Sequence, residues 1–98
     1  MAALRFEWDE RKSSANLRKH EVSFKEAQSV FLDEDALLIP DVAHSQEEER
    51  FILLGLSQQL RTLVVVHCYR QADEVIRIIS ARRANKLERG QYEQRRRK

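Results

Sequence analysis

Apolar and polar positions along this chain change period repeatedly, and each change marks an element. Phe6-Glu7-Trp8 alternates over a short span and reads as an opening strand or extended segment. Asp9 then caps a helix running to about His20, on which Ala15 and Leu17 give a modest apolar face. A second helix follows at once. Ser23 and Glu26 have capping-box spacing, Val22 can staple onto Ala27, and Ala27, Val30 and Phe31 form the buried stripe. After Asp33-Glu34-Asp35 the period drops to two. Ala36–Ile39 is a short strand stopped by Pro40, the single proline, and the polar loop Asp41–Glu49 follows. Arg50–Leu56, Arg61–Tyr69 and Val75–Ser80 are strands joined by tight turns at Ser57–Leu60 and Gln71–Asp73. Connections this short favour an antiparallel meander over crossover-linked parallel strands. Asn85, with Glu88 three residues later, opens a last helix that carries Tyr92. The expected fold is α+β: two N-terminal helices, an antiparallel sheet of about four strands, and a C-terminal helix.

Size and composition narrow the class. A chain of 98 residues suits one domain over 1–98, with residues 94–98 expected to fray as a basic tail. Hydrophobic residues at 42% with 35% charged describe a globular chain rather than a disordered one. No apolar run approaches the length of a membrane-spanning helix, and no signal-peptide core follows Met1, so a cytoplasmic location is expected. The lone Cys68 cannot form an internal disulfide and reads as a small core residue. No CxxC or HExxH spacing exists, and no metal or other cofactor is expected.

The net charge of +2 conceals a strong polarity. Residues 1–49 hold 6 Lys+Arg against 12 Asp+Glu, whereas residues 50–98 hold 12 against 4. Such asymmetry suggests a basic surface that meets an acidic partner, of which nucleic acid is the commonest. Two solvated faces of opposite sign would give the same numbers.

Candidate chemistry concentrates in V-I-R-I-I-S-A-R-R-A-N-K-L-E-R-G-Q-Y, residues 75–92. Arg77 sits inside an apolar strand, and Ser80, Arg82 and Arg83 follow at its exit, beside a helix with Glu88 and Tyr92. The planar guanidinium fork matches phosphate, so this cluster suits phosphate better than a generic basic patch does. Alternation on Arg61–Tyr69 places Arg61, Leu63, Val65, His67 and Tyr69 on one face and Thr62, Val64, Val66 and Cys68 on the other. The second of these faces is apolar enough to pack under helices. The first can gather His67 and Arg77, with a polar residue of Arg50–Leu56, into a groove. A one-residue slip reverses these facings.

RNA cleavage needs a base for the ribose 2′-hydroxyl, cations for the developing phosphate charge, and an acid for the leaving oxygen. His67, His44 or Glu88 can move protons, Arg77, Arg82 and Arg83 can stabilise charge, and Tyr69 or Tyr92 can stack or donate. A lone histidine at a strand end also serves commonly as a structural residue. Asp41, His44 and Ser45 superficially suggest a hydrolase set but share one short loop. Glu47–Glu49 could bind a divalent ion but read as solvated, and two glycines leave no phosphate-cradling loop.

Taken in order, F-E-W-D-E-x-K, N-L-x-K-H, V-S-F-x-E-A, D-x-x-H-S-x-x-E-E-R-F, L-V-V-V-H and R-I-I-S-A-R-R-A-x-x-x-E-R-x-x-Y-E resemble BrnT-type toxins from Phe6 to Glu93. The resemblance implies a RelE-like fold and a metal-independent ribonuclease that arrests translation. It also implies a BrnA-type antitoxin whose ribbon-helix-helix domain represses the shared operon. Implied motif positions are Lys12, Lys19, His20, His44, Glu49, Arg50, His67, Arg77, Ser80, Arg82, Arg83, Glu88 and Tyr92. Of these, His67, Arg77, Arg82, Glu88 and Tyr92 are the catalytic candidates, and His44, Arg50, Ser80 and Arg83 the RNA-binding ones. The expected assembly is two toxins on an antitoxin dimer, with operator DNA touched through the antitoxin. Glu21 departs from the family, which usually has Gly after the Lys-His that ends the first helix; Glu21 must either bear a left-handed turn at a cost of about 1 kcal/mol or end the helix differently. The competing reading is a noncatalytic nucleic-acid or protein-binding module on the same fold, which would need the arginines but no proton-transfer residue.

Overall fold

A computed structural model describes residues 4–44 and 48–97 of the chain. Ser45 and Glu47, named above as alternative site residues, lie outside them. Five strands form one sheet: β1 Arg5–Glu7, β2 Leu37–Pro40, β3 Phe51–Leu56, β4 Thr62–Arg70 and β5 Val75–Arg83. Their order is β1-β5-β4-β3-β2, with β1 parallel to β5 and the rest antiparallel. The expected meander is present. The sheet nonetheless has five strands rather than about four, and it is mixed, because Phe6 and its neighbours return to pair with the last strand of the chain.

Among the described residues three α-helices join the sheet: α1 Glu10–His20, α2 Phe24–Ser29 and α3 Lys86–Arg96. Asp9 caps α1 by accepting from the Arg11 and Lys12 N–H groups. Its other end stops at Glu21, which takes the left-handed conformation (φ 58°) and donates its N–H to Leu17 O. The turn expected of a glycine is therefore made without one. Ser23 caps α2, but Glu26 does not complete a capping box there. Its buried carboxylate turns to Arg61 and to the Ser57 hydroxyl (2.6 Å). Asn85 and Glu88 do form a capping box on α3, which continues through residues expected to fray, as far as Arg96.

The sheet divides the protein into two unequal layers. α1 and α2 cover one face, where Phe24, Ala27 and Val30 pack on Leu53, Leu63 and Val65. α3 crosses only part of the opposite face, burying Tyr92 and Ala84 against Leu54 and Val64. This inverts the expected facing of β4, since Leu63, Val65 and His67 lie under the helices. The physical reason is volume: Leu63 and Val65, with Leu53 beside them, fill the space beneath two helices, whereas the Val64 side meets one.

β5 carries an irregularity that joins the two halves of its motif. Val66 pairs with Ser80 and His67 with Ile78, leaving Ile79 as the extra residue of a bulge. Beyond β1, the free side of β5 is closed by a side chain. Asn16 of α1 accepts from Ala81 N–H (3.1 Å) and donates to Ala81 O and Val22 O (both 2.8 Å). Its amide stands in for a neighbouring strand and fixes α1 across the end of β5.

Candidate active site

The bulge gives the open face its chemistry. Arg77 and Arg82 are five positions apart and would face opposite ways on a regular strand. With Ile79 extra, Arg82 pairs with Val64, Ser80 with Val66 and Arg77 with Cys68, so all three share the face that α3 leaves partly uncovered. Arg70 joins them from the same side of β4. Glu7, paired with Arg77 across the parallel β1–β5 ladder, accepts from Arg77 Nη1 (2.7 Å) and lies 3.8 Å from Arg70 Nε. Arg70 in turn reaches Glu48 at 3.3 Å. The result is a row of alternating charge, Glu48, Arg70, Glu7 and Arg77, all at least partly exposed.

At the other end of the row Arg82 forms a two-pronged contact with Glu88, at 2.8 and 2.9 Å. That contact, more than burial opposes it, holds the Glu88 carboxyl below its usual range, and the Asn85 N–H adds to the effect. Glu88 is therefore ionised and already engaged, rather than an idle base.

Several sequence candidates lie elsewhere. His67 has no exposed surface; its Nδ1 approaches Val65 O (3.2 Å) and its Nε2 Tyr69 Oη (3.3 Å), with Phe31 packed edge-on. Burial pushes its pKa down, so it is a neutral core residue on the face opposite Arg77, not a surface acid–base group. Tyr92 is buried at 1% exposure and donates to Asp33 Oδ2 (2.6 Å). Burial, the Asp33 hydrogen bond and the Asp33 charge together raise its phenol far above the ordinary value. It anchors α3 and cannot present its hydroxyl to a ligand in this conformation. Arg83 pairs with Leu63, so it faces the helix side, 3.9 Å from Glu21. His44 sits beyond β2 with Nδ1 3.1 Å from Asp41, and β3 and β4 lie between β2 and β5. Arg50 leads into β3, and its carbonyl accepts from Asp41 N–H. Of the nine residues inferred from sequence, Arg77, Ser80 and Arg82 share the open face, with Glu88 at its rim.

Arg70 and Glu7 were missed. Alternation of Glu7 with Phe6 and Trp8 was visible in the sequence, but not the parallel pairing that brings it to Arg77. Arg70 shares its face with Val64, Val66 and Cys68, the face expected to pack under helices, and so was not placed in the groove.

Among the described residues, three α-helices and a five-stranded mixed sheet with an arginine row on its half-open face define the class: a small α+β domain. The crystal structure of the Brucella abortus ribonuclease toxin BrnT matches this fold with a TM-score of 0.66 at 22% identity, covering 86% of this chain and 100% of that one. Comparison with curated proteins finds no match. Residues 8–88 match the sequence profile of the ribonuclease toxin BrnT of type II toxin–antitoxin systems, and the chain belongs to that family. No helix among the described residues is long and apolar enough to cross a membrane.

Proposed function

We propose that the chain is a RelE-like, metal-independent endoribonuclease that arrests translation and is neutralised by a BrnA-type, ribbon-helix-helix antitoxin. The observation that carries this reading is the bulged β5, which sets Arg77, Ser80 and Arg82 on one face beside Arg70. The scissile phosphate lies along this row. The ribose 2′-hydroxyl attacks the phosphorus, the P–O5′ bond breaks, and the arginines stabilise the charge on the phosphoryl oxygens. The 2′-hydroxyl gives its proton to Glu7, between Arg70 and Arg77 in the row, and water protonates the leaving O5′, while Glu88 stays paired with Arg82 and His67 takes no part. Two toxins bound to an antitoxin dimer, with operator DNA contacted through the antitoxin, form the resting complex.

Purified protein is expected to cleave total RNA in chelator-containing buffer and leave 2′,3′-cyclic phosphate ends. Arg77→Ala should lower the rate by about a hundredfold, as loss of a transition-state charge contact does. RNA left intact by folded wild-type protein, together with harmless expression, would overturn the enzymatic reading and favour a binding module.

A further inference from the structure

A second surface lies at the far edge of the sheet, away from the arginine row. Among the described residues β2 is the terminal strand and pairs with β3 alone. The hydrogen bond from Asp41 N–H to Arg50 O (2.8 Å) sets the phase of that ladder. Leu37 and Ile39 therefore turn their backbone groups to β3, and Leu38 directs its N–H and C=O outward. Pro40 offers a carbonyl but no N–H, which limits an added strand to a short pairing centred on Leu38. Leu38 is 49% exposed and Ile39 37%.

The Leu38 side chain borders a cavity of about 440 Å³ whose other walls are Glu48, Glu49, Phe51, Tyr69 and Asp73. Phe51 and Tyr69 meet edge to face at 5.3 Å, giving the cavity an aromatic wall. Its charged groups are carboxylates, and Arg70 reaches only Glu48, from the opposite face of the sheet. Aromatic rings beside carboxylates favour a guanidinium or ammonium group and repel phosphate. A second copy paired through β2 in two-fold fashion would set these carboxylates near their own counterparts.

We propose that the β2 edge and this acidic, aromatic cavity form a docking site for an extended segment of a partner protein. The segment places an arginine or lysine opposite Leu38, where a narrow pair with Leu38 carries the basic side chain along the cavity wall. The surface meets the arginine row only at Glu48, and the proposal does not depend on nuclease activity.

The test uses isotope-labelled full-length protein titrated with the capped pentapeptide Thr-Val-Arg-Val-Thr, followed by amide NMR and calorimetry. Shifts should centre on Leu38, Phe51 and Tyr69. Replacing the central arginine by glutamate, or N-methylating it, should each weaken binding by about tenfold, the worth of one charge-assisted or backbone contact. Asp73→Asn with Glu49→Gln should weaken the arginine peptide to a similar degree while leaving the fold intact. Equal binding of all three peptides, no binding, or shifts confined to β5 would overturn the proposal. So would concentration-dependent shifts at Leu38 without peptide, which mean self-association, or the same shifts induced by a pentanucleotide.

Discussion

His67 shows how much one side chain's burial decides. Because burial lowers its pKa, the folded state resists the proton that the unfolded chain accepts near pH 6.5, so stability falls as pH drops through that value. His67→Leu should remove this slope and retain RNA cleavage; loss of cleavage in a folded variant would restore the histidine to the mechanism. Asp33 behaves in the opposite sense. Burial opposes its ionisation, yet hydrogen bonds from Leu56 N–H and Tyr92 Oη outweigh it and hold the carboxyl below its usual range. Its contribution is thus present above about pH 4 and is lost as pH falls further. Tyr92→Phe should cost about 1–2 kcal/mol at pH 7, and the deficit should shrink in urea melts below pH 4. At Glu21 the left-handed backbone predicts a gain: Glu21→Gly should stabilise by about 1 kcal/mol.

Elements are joined here by single residues in close quarters. Asn16→Ala would strand the N–H and C=O of Ala81 without their partner, and about 3 kcal/mol of destabilisation is expected by urea denaturation. The two glycines should respond in opposite ways. A Cβ at Gly55 would lie 2.9 Å from both Ala36 Cβ and Val30 Cγ1, so Gly55→Ala must push apart β3 and the turn that crosses it. A Cβ at Gly90 meets nothing within 4 Å, and Gly90→Ala should stabilise α3 by about 0.5–1 kcal/mol with cleavage unchanged. Helices and meander were legible because caps and alternation are local signals. Asp9, Ser23 and Asn85 each cap as their side chains suggest. The facing of β4 was not legible, since Val64, Val66 and Cys68 are as apolar as Leu63 and Val65. Nor was the bulge at Ile79, because a β-branched residue gives no sign that the register shifts there. That one extra residue sets Arg77 on the face opposite His67 and beside Ser80 and Arg82.

Across the whole molecule, the charge asymmetry resolves into surfaces rather than halves. Basic residues of the second half line the open face, while Glu7 from the first half is drawn in among them. Binding of single-stranded RNA should weaken linearly in log–log against salt, and Arg77→Ala should reduce the slope by about 0.7, the share of one phosphate contact. An unchanged slope would place the RNA elsewhere. The pairing of Arg5–Glu7 with Val75–Arg77 has a consequence for synthesis. The first strand made must wait for the last before it has a neighbour, so a nascent chain cannot complete its arginine row while β5 is still within the ribosome. If cleavage takes place on that row, as proposed, it begins only after β1 and β5 have paired.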